Sequence, residues 1–125
     1  MNGMKRWIGN ATFADYIIVW ARNEGEDNKV QGFVVQKGSE GLRTEKMHGK
    51  IACRMTQNTD IYMENVFVPD NMRLTKGTDF QNGTNALLRT SRLQVAWWVA
   101  GMMAGAYEAA LSYTLKRVQF GKPIA

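Results

Sequence analysis

The chain has one cysteine, Cys53, one histidine, His48, and two prolines in 125 residues. One thiol excludes an internal disulfide, and no cysteine or histidine spacing offers a metal site, so no metal is expected. A reducing, intracellular setting fits this cysteine usage. The first residues, MNGMKRWIGN, lack the apolar segment of a secretory signal. The longest uncharged apolar run, VAWWVAGMMAGAY at 95–107, is shorter than the ~18 to 20 residues that cross a bilayer. It reads as a buried helix, and no membrane span is expected. Acidic residues are the minority, 11 against 16 basic ones, for a net charge of +5. That balance favours a phosphate-bearing partner. The basic residues are scattered, however, and no helix-turn-helix, zinc finger or aromatic RNA-binding motif is present, so nucleic acid is not expected. A phosphate-rich small molecule stays open.

What is abundant is apolar: 45% of residues, enough for a folded core. Up to about residue 70 short β-type runs alternate with turn chemistry. ADYIIVWAR and VQGFVVQK flank NEGEDNK, a hairpin loop rich in residues that tolerate reversal. GSEG and LRTEKMHGKIA follow. DIYMENVFVPD closes the region, with Val66, Val68 and Pro69 marking a strand end. The expected class is α+β: an antiparallel β-sandwich or barrel, then one long helix of a truncated bundle. The expected division is a β-domain over 1–70, a linker over 71–84 and the start of a helical domain over 85–125. No proline interrupts 85–118, and a helix of that length runs near ~50 Å. Ala96, Ala100 and Ala104, with Gly101, Gly105 and Ala109, form rows of small residues that let another helix approach. A lone helix cannot bury Trp97, Trp98, Met102 and Met103, so the chain reads as a piece of something larger.

Two short stretches carry candidate chemistry. In KRWIGN, strand alternation puts Trp7 and Gly9 on one face. Trp7 either fills the core or lies against a planar cofactor, with Gly9 bringing main chain close to it. In LKRVQFGKPIA, Gly121 and Pro123 read as a helix stop with Gly121 as the cap, while Arg117 also suits a phosphate. Arg92 and Arg117 lie 25 residues apart, about seven turns, so they share a helix face at roughly 37 Å. That exceeds one small ligand and suggests two ends of a site or two subunits. His48 reads as a surface residue, Cys53 as a buried thiol, and Glu24, Glu26 and Asp27 as a solvated loop. The role of Arg54 stays open.

Taken in order, KRWIGN with ADYIIVWAR, then GFVVQKGSEGL, IYMENVFVP and SRLQVAWWVAGMMAGAYEAALSYTLKRVQFGKPIA, resemble the acyl-CoA dehydrogenase family along essentially the whole chain. They match its W-I-[ST]-N strand, later strands of its middle β-domain, and the first helix of its C-terminal domain with the R-x-x-F-G signature. The nearest likeness is to the glutaryl-CoA dehydrogenase-like group and to short-chain acyl-CoA oxidases, which carry W-I-G-N.

The resemblance implies FAD as cofactor, with Trp7, Ile8 and Gly9 at the flavin ring. It implies that Arg117, Gln119 and Phe120 reach the FAD diphosphate of a neighbouring subunit. Asn85, Ala86, Leu87, Leu88, Arg89, Thr90, Ser91 and Arg92 match the acyl-CoA pocket. The implied reaction is α,β-dehydrogenation of an acyl-CoA, the α-proton leaving to a glutamate and the β-hydride to flavin N5, within fatty acid or amino acid catabolism. Electrons pass to an electron-transfer flavoprotein, or to oxygen in an oxidase, and the full-length parent is a tetramer. The implied compartment is cytoplasm in a bacterium, or peroxisome or mitochondrial matrix in a eukaryote.

Gly9 departs from the family's serine or threonine and keeps the oxidase alternative open. No residue matches the base glutamate, so no catalytic residue is assigned and the isolated 125 residues are expected to be inactive. A non-catalytic structural fragment is the remaining alternative.

Overall fold

A computed structural model describes all of residues 1–125, which divide into two compact units, Met1–Thr84 and Asn85–Ala125. In the first, β1 (Gly3–Gly9), β5 (Asn58–Met63) and β4 (Leu42–Lys46) form an antiparallel sheet in that order. A second sheet is the hairpin of β2 (Tyr16–Asn23) and β3 (Lys29–Gln36), paired from Tyr16↔Gln36 to Asn23↔Lys29. Alternation decides the core. Ile17 and Val19 of β2, Val35 of β3, and Ile61 and Met63 of β5 point inward and meet Ala11 and Val66. Burying each of the larger of these side chains contributes about 1.5–3 kcal/mol. Together the two sheets make the small antiparallel sandwich that the strand-and-turn spacing predicts.

The NEGEDNK turn closes as expected: Asn23 accepts from the Gly25 N–H, and Asp27 and Asn28 adopt left-handed angles. Glu26 is more than a solvated loop residue. Its carboxylate accepts from Gln31 Nε2 at 2.9 Å and from Arg73, which also pairs with Asp70. Gln31 is buried, so it needs these partners. It donates as well to the Thr78 carbonyl, and its own carbonyl accepts from Asn23 Nδ2. Segment 70–84 is thereby tied to the hairpin, with the Leu74 N–H donating to the Gly32 carbonyl at 2.9 Å. The Trp20 ring fills a slot walled by Gly32, Gly77 and Gly83. A methyl at Gly83 would come within 2.4 Å of it.

Hydrogen bonds from Gln31 and Arg73 hold the Glu26 carboxyl below the usual carboxylate range. A lowered folded pKa contributes stability above the unfolded value and loses it as pH falls through the folded one. Acidification below the ordinary carboxylate range is therefore expected to loosen segment 70–84. Hydrogen exchange at the Leu74 amide should rise there relative to a core amide such as Ile61. A Glu26→Gln variant should lose that pH dependence.

The closing strand ends earlier than Val66 to Pro69 suggest. β5 stops at Met63, and Asn65 turns the chain with φ 55. Val66 is fully buried because its N–H donates to the Met1 carbonyl, folding the segment back onto the core. Cys53 is exposed rather than buried. Its loop leaves the sheet and closes on Lys50, whose Nζ donates to the Cys53 and Thr56 carbonyls at 2.8 and 2.6 Å. His48, in the same loop, is at the surface, as its turn-like setting suggests.

The second unit is a single helix, α1 (Ala86–Lys116), followed by the two-residue strands β6 (Val118–Gln119) and β7 (Lys122–Pro123). None of the helix residues is buried. Trp97 is 74% exposed, Trp98, Met102 and Met103 more than half so, and nothing lies within 4 Å of the Gly101 and Gly105 faces. Apolar residues on all sides mark a helix built to be surrounded. It is not long and apolar enough to cross a membrane.

Candidate functional site

The first candidate stretch is set by an irregularity in β1. Lys5 pairs with Ile61 and Ile8 with Thr59, so three steps on β1 face two on β5. Trp7 absorbs the extra residue with a left-handed φ of 62, a costly conformation for a large aromatic. Simple alternation therefore fails here: Lys5 and Ile8, three apart, both pair opposite inward-facing positions of β5. Trp7 does not fill the core. It is 60% exposed, and Ile8 packs against the core instead. Gly9 is exposed without a left-handed angle, and a Cβ there would meet only Thr56 Cγ2 at 3.4 Å. Its backbone does not require glycine.

Two asparagines hold this stretch. Asn58 Nδ2 donates to the Trp7 carbonyl at 3.1 Å, and Asn10, itself left-handed, accepts through Oδ1 from the Gln57 N–H. Only the register of β1 against β5 brings them there, and periodicity within one strand carries no signal of it.

The second stretch opens the helix. A π-turn over Gln81–Asn85 leads into α1 without a side-chain cap from Asn85. Ala86, Leu87, Arg89, Thr90 and Arg92 are exposed, while Asn85, Leu88 and Ser91 are half-buried. Ser91 Oγ donates to the Leu88 carbonyl. The first turn holds no acid, and Arg89 and Arg92 lie one turn apart. Positive helix-end dipole and two guanidinium groups form a surface suited to anions.

The third stretch differs from a plain helix stop. The helix ends at Lys116, and Arg117 is the capping residue, its N–H donating to the Tyr113 carbonyl at 2.8 Å. Arg117 has extended angles, so the helical face shared with Arg92 ends one residue before it. Gly121 is not the cap. With Phe120 it makes the two-residue turn of the β6–β7 hairpin, both left-handed at φ 52 and 79. The Ile124 N–H donates to the Arg117 carbonyl at 3.0 Å and fixes the hairpin to the helix end. Arg117 thus stands at the base of this hairpin and Gln119 and Phe120 at its turn, with Phe120 fully exposed.

Residues 1–66 match the family model described as acyl-CoA dehydrogenase, middle domain. The chain belongs to the acyl-CoA dehydrogenase family. Cyclohex-1-ene-1-carbonyl-CoA dehydrogenase of Geobacter metallireducens is 38% identical over 128 residues, covering 100% of this chain and 33% of the relative. A structure of glutaryl-CoA dehydrogenase from Mycobacterium smegmatis in complex with FADH2 superposes with a TM-score of 0.88 at 26% identity. It covers 98% of this chain and 31% of that one. A second glutaryl-CoA dehydrogenase structure from the same organism gives 0.88 at 30% identity, over 98% of this chain and 31% of its own. The chain spans about a third of the length of the curated relatives it matches.

For an acyl-CoA dehydrogenase chain, the exposed faces acquire a reason. The helix of the second unit is dressed to be covered, and the Trp7 bulge presents an aromatic outward.

Proposed function

We propose that this chain contributes the cofactor- and substrate-contacting part of an FAD-dependent acyl-CoA dehydrogenase. The observation that carries the reading is the Trp7 bulge: an indole held outward at a strained angle, beside an open, side-chain-free Gly9. These residues fit a flavin. Trp7 offers a planar face, Ile8 anchors the strand in the core, and Gly9 leaves room for a ring edge. When bound, FAD supplies the hydride-accepting chemistry of α,β-dehydrogenation. The division is a middle β-domain over 1–70, a connecting segment over 71–84 and the start of a C-terminal helical domain from 85.

Residues 85–92 receive the acyl-CoA, Arg89 and Arg92 facing its phosphates with the positive helix end behind them. Arg117 forms no ion pair within the chain, which leaves its guanidinium for a partner's phosphate. With Gln119 and Phe120 it reaches the FAD diphosphate of a neighbouring subunit in a homo-oligomer. Electrons leave to an electron-transfer flavoprotein in the cytoplasm or mitochondrial matrix. The test is titration of the whole protein with FAD, following flavin fluorescence. Saturable quenching that falls at least about fivefold in affinity on Trp7→Phe, with no comparable binding of an unrelated dinucleotide, is the expected result. FAD affinity and quenching unchanged by Trp7→Phe would remove the observation that carries the reading.

A second reading, an acyl-CoA oxidase passing electrons to oxygen, is favoured by the same Gly9, because its backbone tolerates the serine or threonine that is absent.

A further inference from the structure

We infer that Asn58 is a positioning residue for the flavin edge, acting by holding the Trp7 carbonyl so that the bulge keeps one shape; the inference rests on the flavin reading above. A tryptophan at φ 62 is strained and persists only where its surroundings hold it. Here the hold comes from two asparagine side chains. Upstream, Asn58 Nδ2 donates to the Trp7 carbonyl at 3.1 Å. Downstream, Asn10 takes φ 63, accepts from the Gln57 N–H at 3.1 Å through Oδ1, and donates its own N–H to the Gln57 carbonyl at 2.7 Å. Trp7, Ile8 and Gly9 lie between the two attachments.

The post that carries Asn58 is rigid. The neighbouring Thr59 is fully buried opposite Ile8, and its Oγ1 donates to the Gln57 carbonyl at 3.2 Å. Asn58 itself is tied through its main chain, pairing with Gly9 and accepting from the Met47 N–H at 2.8 Å. Its side-chain amide is therefore free of any duty in the sheet ladder, and its bond to Trp7 is the one thing a substitution removes. A carboxylate at 58 would keep the shape but lose the donor and face the carbonyl with like polarity. The indole, and the Ile8 and Gly9 N–H groups that follow it, would then leave their fixed orientation.

The experiment compares four variants of the whole protein: Trp7→Phe, Asn58→Asp, Asn58→Ala and Thr12→Ala. Visible absorption of the bound flavin, FAD affinity and far-ultraviolet circular dichroism are measured for each. Thr12→Ala breaks a different attachment of the same loop, the 3.0 Å bond from Thr12 Oγ1 to Gln57 Oε1. Expected are a shifted flavin band and a roughly 5- to 10-fold weaker FAD affinity for both Asn58 variants, the size of one lost hydrogen bond. Their dichroism should match the parent, and Thr12→Ala should bind like the parent. If Asn58→Asp fails to fold, Asn58→Ala, which adds no charge, decides. If Trp7→Phe perturbs the flavin and the Asn58 variants do not, the positioning role is overturned while the flavin reading stands. If Thr12→Ala weakens binding as much as Asn58→Ala, the effect is general loosening of the loop and the inference is overturned. If Trp7→Phe leaves band and affinity unchanged, the flavin reading fails and the inference with it.

Discussion

Gly41→Ala is expected to destabilise the first unit by about 3 kcal/mol or more, the sum of backbone strain and a steric clash. Gly41 sits at φ 77, between β3 and β4, where an L side chain is strained whatever the space. The space is also taken: a Cβ there would lie 1.9 Å from the Glu64 carbonyl oxygen. That oxygen is main chain and cannot swing aside as a flexible side chain would. Relief requires the turn to back away from β5, which breaks the 3.0 Å bond from the Glu64 N–H to the Gly41 carbonyl and disturbs fully buried Val66. The thermal midpoint should fall by more than about 10 °C. Gly38→Ala is the useful comparison. Gly38 has a similar φ of 79 but nothing within 4 Å of its missing Cβ, so only the strain remains and the loss should be clearly smaller. Equal losses at both positions would mean that the clash at Gly41 is absorbed.

Gly9→Thr is expected to leave the fold intact and, where the proposed flavin site holds, to change the chemistry at the ring edge. The backbone at 9 accepts a side chain, and the nearest atom, Thr56 Cγ2, stands at ordinary contact distance. Melting should therefore move by no more than about 0.5 kcal/mol equivalent, as for an open surface position. If the glycine admits oxygen to the reduced flavin, the threonine fills that space. Reoxidation of the whole protein by oxygen should then slow at least about tenfold, some 1.4 kcal/mol in barrier. Stopped-flow mixing of reduced protein with oxygenated buffer reads this directly. An unchanged reoxidation rate would remove the one feature that favours the oxidase reading and leave the dehydrogenase reading alone.

Much of the fold was legible because its signals are local. The alternating apolar residues of ADYIIVWAR and VQGFVVQK, with NEGEDNK between them, dictate a hairpin, which the structure forms between Tyr16–Asn23 and Lys29–Gln36 with strand ends shifted by one or two residues. The absence of proline over 70–122 leaves room for the long α1, which runs on through Gly101 and Gly105. The order of the W-I-G-N, V-F-V-P and R-x-x-F-G stretches was enough to point to the family. Readings failed where the deciding contact lay far away in sequence. Residue type alone suggests a buried Cys53, but its loop is closed by Lys50 onto main-chain carbonyls and never enters the core. The acidic loop suggests a solvated Glu26, yet Arg73, 47 residues on, completes its pairing. Gly121 suited a helix cap as well as a hairpin turn, and the two differ only in whether Lys122 and Pro123 fold back against Gln119 and Val118.

The sequence by itself determined the elements, the hydrophobic faces and the family, because propensity, periodicity and motif order reside within short stretches of chain. Tertiary structure alone decided how Trp7 is presented. Strand alternation has no term for an extra residue, and the bulge exists only because β1 is read against β5 and held there by Asn58 and Asn10. A side chain's face is local information, but its register belongs to the pair of strands.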